Sequence, residues 1–268
     1  MHLLYCPSCG SVVPSEAYYC PYCGKPLPRT YVESLTTPSA LIYLFPDHFL
    51  PPLRFMHFMF GEKGFKSPTS NVSVNERNAS IMMIASSLIW LKENNLVYMD
   101  LSEERVFSGL IKFPAVVVRK AFSSSLGDGS LEDMILNKVL MRDKPISVYN
   151  ITRRILDFRG VWGVLGLPSS SSFILKLVEG HLIQKGIIKV DASILSKKVR
   201  VDENRILGLS KNLEDVKTLL SNFKQTNALL FQRIIENIDR GFYSKLPITW
   251  LVFLVFIALM VFLRVRPP

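Results

Sequence analysis

Past residue 23 this 268-residue chain has no cysteine, and its four histidines, His2, His48, His57 and His181, stand far apart. Enzyme signatures are missing as well. There is no GxxxxGK[ST] phosphate loop, no HExxH and no GxSxG, and Gly160, Gly163 and Gly166, spaced by three, do not make the dinucleotide pattern. The expectation is a non-catalytic protein. Acidic residues are in short supply, 22 against 32 basic ones, for a net charge of +10 and an isoelectric point near 9.5. Such a balance fits an acidic partner or an anionic membrane face, although basic residues spread over a whole chain need bind nothing. No secretory leader is read, because cysteines and prolines follow Met1 to Leu4 at once.

Long runs that are both uncharged and apolar enough to span a membrane are absent too, with one exception. Leu246 to Leu263, LPITWLVFLVFIALMVFL, is eighteen residues without a charge. As a helix it would be roughly 27 Å long, close to the hydrocarbon thickness of a bilayer. Lys245 and Arg264 bracket it and can snorkel to the two surfaces, while Trp250 and Tyr243 suit the headgroup region. A buried core helix would keep more of a polar face than Thr249 supplies. We therefore expect a single C-terminal membrane anchor over 245–264, inserted after synthesis, with nearly all of the protein on one side. The basic residues give only a slight asymmetry: Arg233, Arg240 and Lys245 precede the stretch, Arg264 and Arg266 follow it.

The cysteines decide the side better. They form two knuckles, Cys6-Pro7-Ser8-Cys9-Gly10 and Cys20-Pro21-Tyr22-Cys23-Gly24. Two Cys-x-x-Cys pairs can present four thiolates to one tetrahedral Zn2+, and the glycine after each pair lets the backbone turn toward the sulfurs. The pattern resembles the short zinc ribbon found at the N-terminus of many archaeal and bacterial proteins. The expected metal ligands are Cys6, Cys9, Cys20 and Cys23. Four thiolates close the coordination sphere, so the zinc is structural. Four reduced thiols place the body in the cytoplasm, at the membrane face.

The chain divides into a zinc ribbon (1–28), a proline-rich connector (29–53), a body (54–210), an amphipathic helical stalk (211–244) and the anchor. The fold class is α+β with a helix-rich body. In the connector, Pro38, Pro46, Pro51 and Pro52 interrupt short apolar pieces, which predicts extended chain and no continuous helix. In the body, Phe55 to Phe60 and the Gly61-to-Gly64 turn predict a strand and hairpin. Ser73-Val74-Asn75-Glu76 reads as a capping box before an almost wholly apolar helix, Ile81 to Leu91, the expected centre of the core. A strand follows over Asn95 to Asp100. Ser130-Leu131-Glu132-Asp133 opens a helix to about Met141 after the Gly127-Asp128-Gly129 turn, and Ser147 to Phe158 repeats the helical period with Arg153 and Arg154 on its polar side.

Residues 167–205 carry a second resemblance. A serine-rich start at Ser169 to Ser172, apolar positions Ile174, Leu177, Val178, Leu182 and Ile183, the ending Lys185-Gly186 and the strand-forming Ile187 to Val190 resemble the last helix and wing of winged-helix domains. The resemblance implies a second wing strand at Val199 to Val201. It would make Lys197, Lys198 and Arg200, with Arg153 and Arg154, the candidate contacts for nucleic acid or another anionic partner. The succession of apolar central helix, short strand, acidic-capped helix and terminal helix with Lys-Gly and strand also looks like the Golgi phosphoprotein 3 family of membrane-surface adaptors, implying anionic lipid headgroups as ligands.

Between body and anchor, Leu213, Val216, Leu220, Phe223, Asn227, Leu230, Ile234 and Asn237 alternate by three and four. This seam either pairs two chains into a coiled-coil homodimer through the 213–237 helix or packs on the body. Asn71, Asn78 and Asn150 head glycosylation triplets, and sugar on them would reverse the topology. The reading is a tail-anchored adaptor or scaffold that recruits a protein partner to the cytoplasmic membrane face. The alternatives are a membrane-tethered winged-helix regulator of nucleic acid and an adaptor that binds anionic lipid headgroups.

Overall fold

The computed structural model describes residues 3–5, 9, 11–14, 20–25, 37–53, 63–106, 111–121, 126–140, 144–158, 170–192 and 197–243. The elements run in this order: β1 (Leu3–Tyr5), β2 (Val12–Pro14), α1 (Pro38–Leu44), a 3-10 turn (Pro46–His48), β3 (Gly64–Lys66), β4 (Ser73–Asn75) and α2 (Glu76–Glu93). Then come β5 (Val97–Val106), β6 (Ile111–Lys120), α3 (Leu131–Asp133) widening into a π-helical segment (Met134–Val139), β7 (Ile146–Ser147), α4 (Val148–Asp157) and α5 (Ser170–Gln184). The chain closes with β8 (Ile188–Ala192), β9 (Lys197–Val201), α6 (Glu203–Leu207), α7 (Ser210–Thr226) and α8 (Ala228–Tyr243). Strand pairing is antiparallel throughout: β1 with β2, β3 with β4, β6 between β5 and β7, and β8 with β9. This is a mixed helix and strand fold.

Helix α2 forms the centre, as its sequence predicts. It is longer than Ile81 to Leu91, and its cap is Asn75, whose Oδ1 accepts from the Asn78 N–H at 3.0 Å. Ser73, the expected cap, is already in β4. Twelve of the thirteen residues from Ala79 to Leu91 are buried, so this helix is apolar all round and must be wrapped. Around it α1, α5, α7, α8 and the β5–β6 sheet contribute Leu41, Ile174, Leu220, Ile234, Val116 and Val118 to one core. On the other side of β6, Phe113 and Ala115 pack on Tyr149 of α4 as a smaller cluster.

Three expectations are corrected or refined. Residues Pro38 to Leu44, read as extended connector, form a wholly buried helix. Pro38 occupies the first helical turn, where no N–H is needed and its fixed φ suits the helix, so proline starts this helix and does not block it. The seam over 213–237 is not one helix. The chain breaks at Asn227, with φ −130°, and the two pieces fold onto the body, burying Leu213, Val216, Leu220, Phe223, Ile234 and Asn237. Residues 211–243 are thus part of the body and not a separate stalk. The expected strand at Phe55 to Phe60 lies outside the described residues.

Asn237 explains why a polar residue sits in that seam. It is fully buried, its Oδ1 accepts from the Val116 N–H at 3.1 Å, and its Nδ2 donates to the Pro114 carbonyl at 3.0 Å. β7 pairs with β6 only at Val117 and Val118, so the carboxamide continues the ladder where the short strand stops. Further along α8, Arg77 donates to Asp239 Oδ1 at 2.9 Å and its guanidinium lies 5.9 Å from the Phe242 ring centroid. At Gly241 the helix comes so near α4 that a Cβ would stand 2.7 Å from Thr152 Cβ.

The first turn of α1 has no side-chain cap of its own. Glu132 supplies one from α3: its Oε1 accepts from the Ser39 N–H at 2.9 Å and from Ser87 Oγ at 2.8 Å, and its Oε2 from Ser39 Oγ at 2.9 Å. This carboxylate is completely buried. It joins α1, α2 and α3 at one point, at the positive end of α1. Two predictions follow from these contacts. Glu132→Leu leaves the buried Ser39 N–H unpaired and takes one partner each from the Ser39 and Ser87 hydroxyls, which lowers unfolding free energy by about 1–3 kcal/mol, read from urea unfolding of a 1–244 fragment. Gly241→Ala overpacks the α4–α8 contact and costs about 1–3 kcal/mol in the same assay.

Candidate metal centre

Strands β1 and β2 pair in register Leu3↔Pro14 to Tyr5↔Val12, and the first cysteine knuckle, of which Cys9 is described, falls between them in the sequence. The second knuckle folds back by two backbone bonds, Gly24 N–H to the Cys20 carbonyl at 2.9 Å and Cys20 N–H to the Lys25 carbonyl at 2.8 Å. Gly24 has φ +67°, a left-handed conformation that a side chain would strain, which is why glycine follows this knuckle. The result brings Cys9, Cys20 and Cys23 together, with their sulfurs all within 4.8 Å of one another. Cys9 Sγ and Cys20 Sγ are 3.5 Å apart. A disulfide would hold them at about 2.05 Å, whereas two ligands of a tetrahedral zinc with Zn–S near 2.3 Å lie roughly 3.8 Å apart. The spacing suits shared coordination.

A family model described as a zinc-ribbon domain matches residues 5–27. The N-terminal segment is a zinc ribbon. The match spans both knuckles, including Cys6, which lies outside the described residues. Comparison of the chain with curated proteins gave no match, and comparison with solved structures gave none either. With four thiolates around it, the ribbon's zinc would have no open position for water or substrate, and its role is to hold a segment whose strands are three residues long.

The expected anion-binding residues lie on different elements. Arg153, on α4, is half-buried with its guanidinium 5.7 Å from the Tyr149 ring centroid, and its Nε has no hydrogen-bond partner. Arg154 donates from Nη1 to the Val139 carbonyl at 3.1 Å and lines a cavity of about 420 Å³ with Lys144, Ser147, Asn150 and Glu104. Arg200, in β9, pairs with Asp191 across the hairpin at 2.6 Å. Lys197 and Lys198 belong to β9, and their side chains lie outside the described residues. So do Lys245, Trp250 and Arg264 and the whole expected anchor. Among the described residues no helix is long and apolar enough to cross a membrane.

Sequence reasoning missed the buried acids. Besides Glu132, Glu76 is nearly buried and its Oε1 accepts from Ser171 Oγ at 2.6 Å and Ser172 Oγ at 2.7 Å, tying α2 to the start of α5. Tyr43 donates to Glu179 Oε2 at 2.8 Å. Burial, with the Glu179 carboxylate beside it, pushes that phenol far above its usual range, so it stays a hydrogen-bond donor. The serine run at 169–172 was the available signal for Glu76, but it pointed to a helix cap and not to an acid 95 residues away.

Metal analysis of the purified chain is expected to give one zinc per chain, and Cys20→Ser to lose it. Because the ligands must be thiolates, zinc is also released as pH falls. Chelation should collapse the amide protection of residues 3–25 and leave that of 37–243 in place.

Proposed function

We propose that this protein is a tail-anchored adaptor. Residues 246–263 cross a membrane, the ribbon and body stay on the cytoplasmic side, and their surfaces gather a protein partner there. The observation that carries the reading is a spacing. α8 ends at Tyr243, and only Ser244 and Lys245 separate it from the eighteen-residue uncharged stretch. The three Cα–Cα steps from Tyr243 to Leu246 reach at most about 11 Å, so an inserted stretch holds the packed body against the bilayer surface. Arg240, whose guanidinium lies 4.8 Å from the Phe113 ring centroid, and Lys245 would then stand within reach of anionic headgroups. Reduced thiols in a closed site support a structural zinc and a reducing compartment. Of the three carboxylates buried among the described residues, Glu132 and Glu76 accept serine hydroxyls that fasten helices together and Asp133 accepts from the Gly127 N–H, which supports a binding role over a catalytic one.

A second reading, a membrane-tethered winged-helix regulator, is favoured by one feature. α5 ends in Lys185-Gly186, with Gly186 at φ +67°, and runs into the β8–β9 hairpin in the order that resemblance requires. Against it, Arg200 is already paired with Asp191. An adaptor that itself reads anionic lipid headgroups shares the tether and differs only in the partner.

Vesicle flotation tests the tether. The full chain should float with phosphatidylcholine vesicles and resist alkaline carbonate. Leu254→Arg with Val255→Asp, at about 2.5–3.5 kcal/mol per charge, should leave it in the soluble fraction. A wild-type chain that stays soluble contradicts the reading. Duplex-DNA binding by the zinc-loaded 1–244 fragment separates the alternatives. Affinity that falls by orders of magnitude between about 50 and 200 mM salt, and vanishes when Arg153, Arg154, Lys197, Lys198 and Arg200 become alanine, would establish the regulator in place of the adaptor.

A further inference from the structure

The central helix is covered on every side but one. From Ala79 to Leu91 every residue of α2 is buried except Met82, and Met82 lines a cavity of about 630 Å³. The cavity opens between α2, the 3-10 turn and α7, next to the start of α8. Phe49, Leu220 and Phe231 complete the apolar part of its wall, and Lys217 and Lys224 stand in its lining as well. Seven residues apart, these lysines share one face of α7 about 10 Å from each other along the axis. Lys224 Nζ is 6.0 Å from the Phe231 ring centroid, and Lys217 Nζ is 2.8 Å from Glu214 Oε1, so both ammonium groups are held beside the opening.

The volume falls in the range of small-ligand sites. A small polar anion such as inorganic phosphate would leave Met82, Phe49 and Phe231 wet, and a neutral hydrocarbon would leave Lys224 with only an aromatic face beside it and Lys217 with only the exposed Glu214. A molecule with both characters satisfies both walls, and a methionine floor adapts readily to an unbranched chain. We propose that this cavity binds a single-chain amphipathic anion, a hydrocarbon chain ending in a carboxylate or phosphate. Its head lies between Lys217 and Lys224 and its chain runs along Phe49, Met82, Leu220 and Phe231. This site is independent of whether the C-terminal stretch enters a membrane.

The test uses the full zinc-loaded chain with phosphatidylcholine nanodiscs, irradiated with a diazirine-bearing palmitate, the adducts being mapped to peptides by mass spectrometry. Adducts are expected on peptides carrying Phe49, Met82 or Phe231, competed by palmitate or dodecyl phosphate but not by methyl palmitate. The stronger of the two competitors identifies the head group. Lys217→Glu with Lys224→Glu should lower the yield about tenfold or more, the loss expected when charge-assisted contacts are reversed. Met82→Trp, which fills the space, should lower it likewise, with circular dichroism and the thermal midpoint reporting that the fold is kept. Adducts confined to residues 246–263, equal competition by methyl palmitate, or an undiminished yield in the folded double-lysine variant would each overturn the proposal.

Discussion

Helix α2 has almost no polar side to give to water, and the arrangement of the other elements is the answer to that constraint. Ser80, Ser86 and Ser87, its buried hydroxyls, satisfy themselves by donating back to Glu76 and Met83 carbonyls, or across to Ser171 and Glu132. Nothing between Ala79 and Leu91 therefore resists burial, and apolar surface of this extent is stable only when covered. The cover is drawn from distant parts of the chain: α1 before it, the sheet after it, α5 and then α7 and α8. The last of these, α8, ends at Tyr243, two residues short of the C-terminal uncharged stretch.

Apolar cover alone would leave the helices free to slide, since dispersion and burial are non-directional. Direction comes from a few buried polar contacts. Glu132 holds the start of α1 against α2, Glu76 holds α2 against the start of α5, and Asn237 seats α8 on the open edge of β6. Each is satisfied by donors or acceptors from another element, which avoids the cost of an unpaired buried group and specifies one register. Tyr43 and Glu179 add a link of the same kind between α1 and α5.

What the sequence made legible was local. The cysteine knuckles predicted the ribbon, the apolar run predicted α2, and Ser130 and Ser147 were read as helix starts and do cap α3 and α4. Lys185-Gly186 marked the end of α5, with glycine at positive φ as that position needs. What was hidden depended on partners remote in the chain. Pro38 looked like an interruption because the buried surroundings of α1, and the Glu132 carboxylate at its start, are 93 residues away. The spacing of Leu213 to Asn237 fits either a second chain or the chain's own core, and only the β6 edge shows what Asn237 is for. The cap of α2 fell on Asn75 and not Ser73 because the helix begins at Glu76, directly after Asn75, while β4 carries the chain extended through Ser73 and Val74.

The proposed tether depends on the packing of α8 into the body: were the C-terminal stretch to insert, that packing would hold the body at the bilayer surface and not out on a stalk. Native-state hydrogen exchange on the full chain tests it directly. The account predicts that amides from Ile234 to Phe242 are protected to the same level as those from Met83 to Leu91, opening only with the whole body. Fast exchange over 234–242 beside a protected α2 would mean that α8 is an independent stalk, and would contradict it.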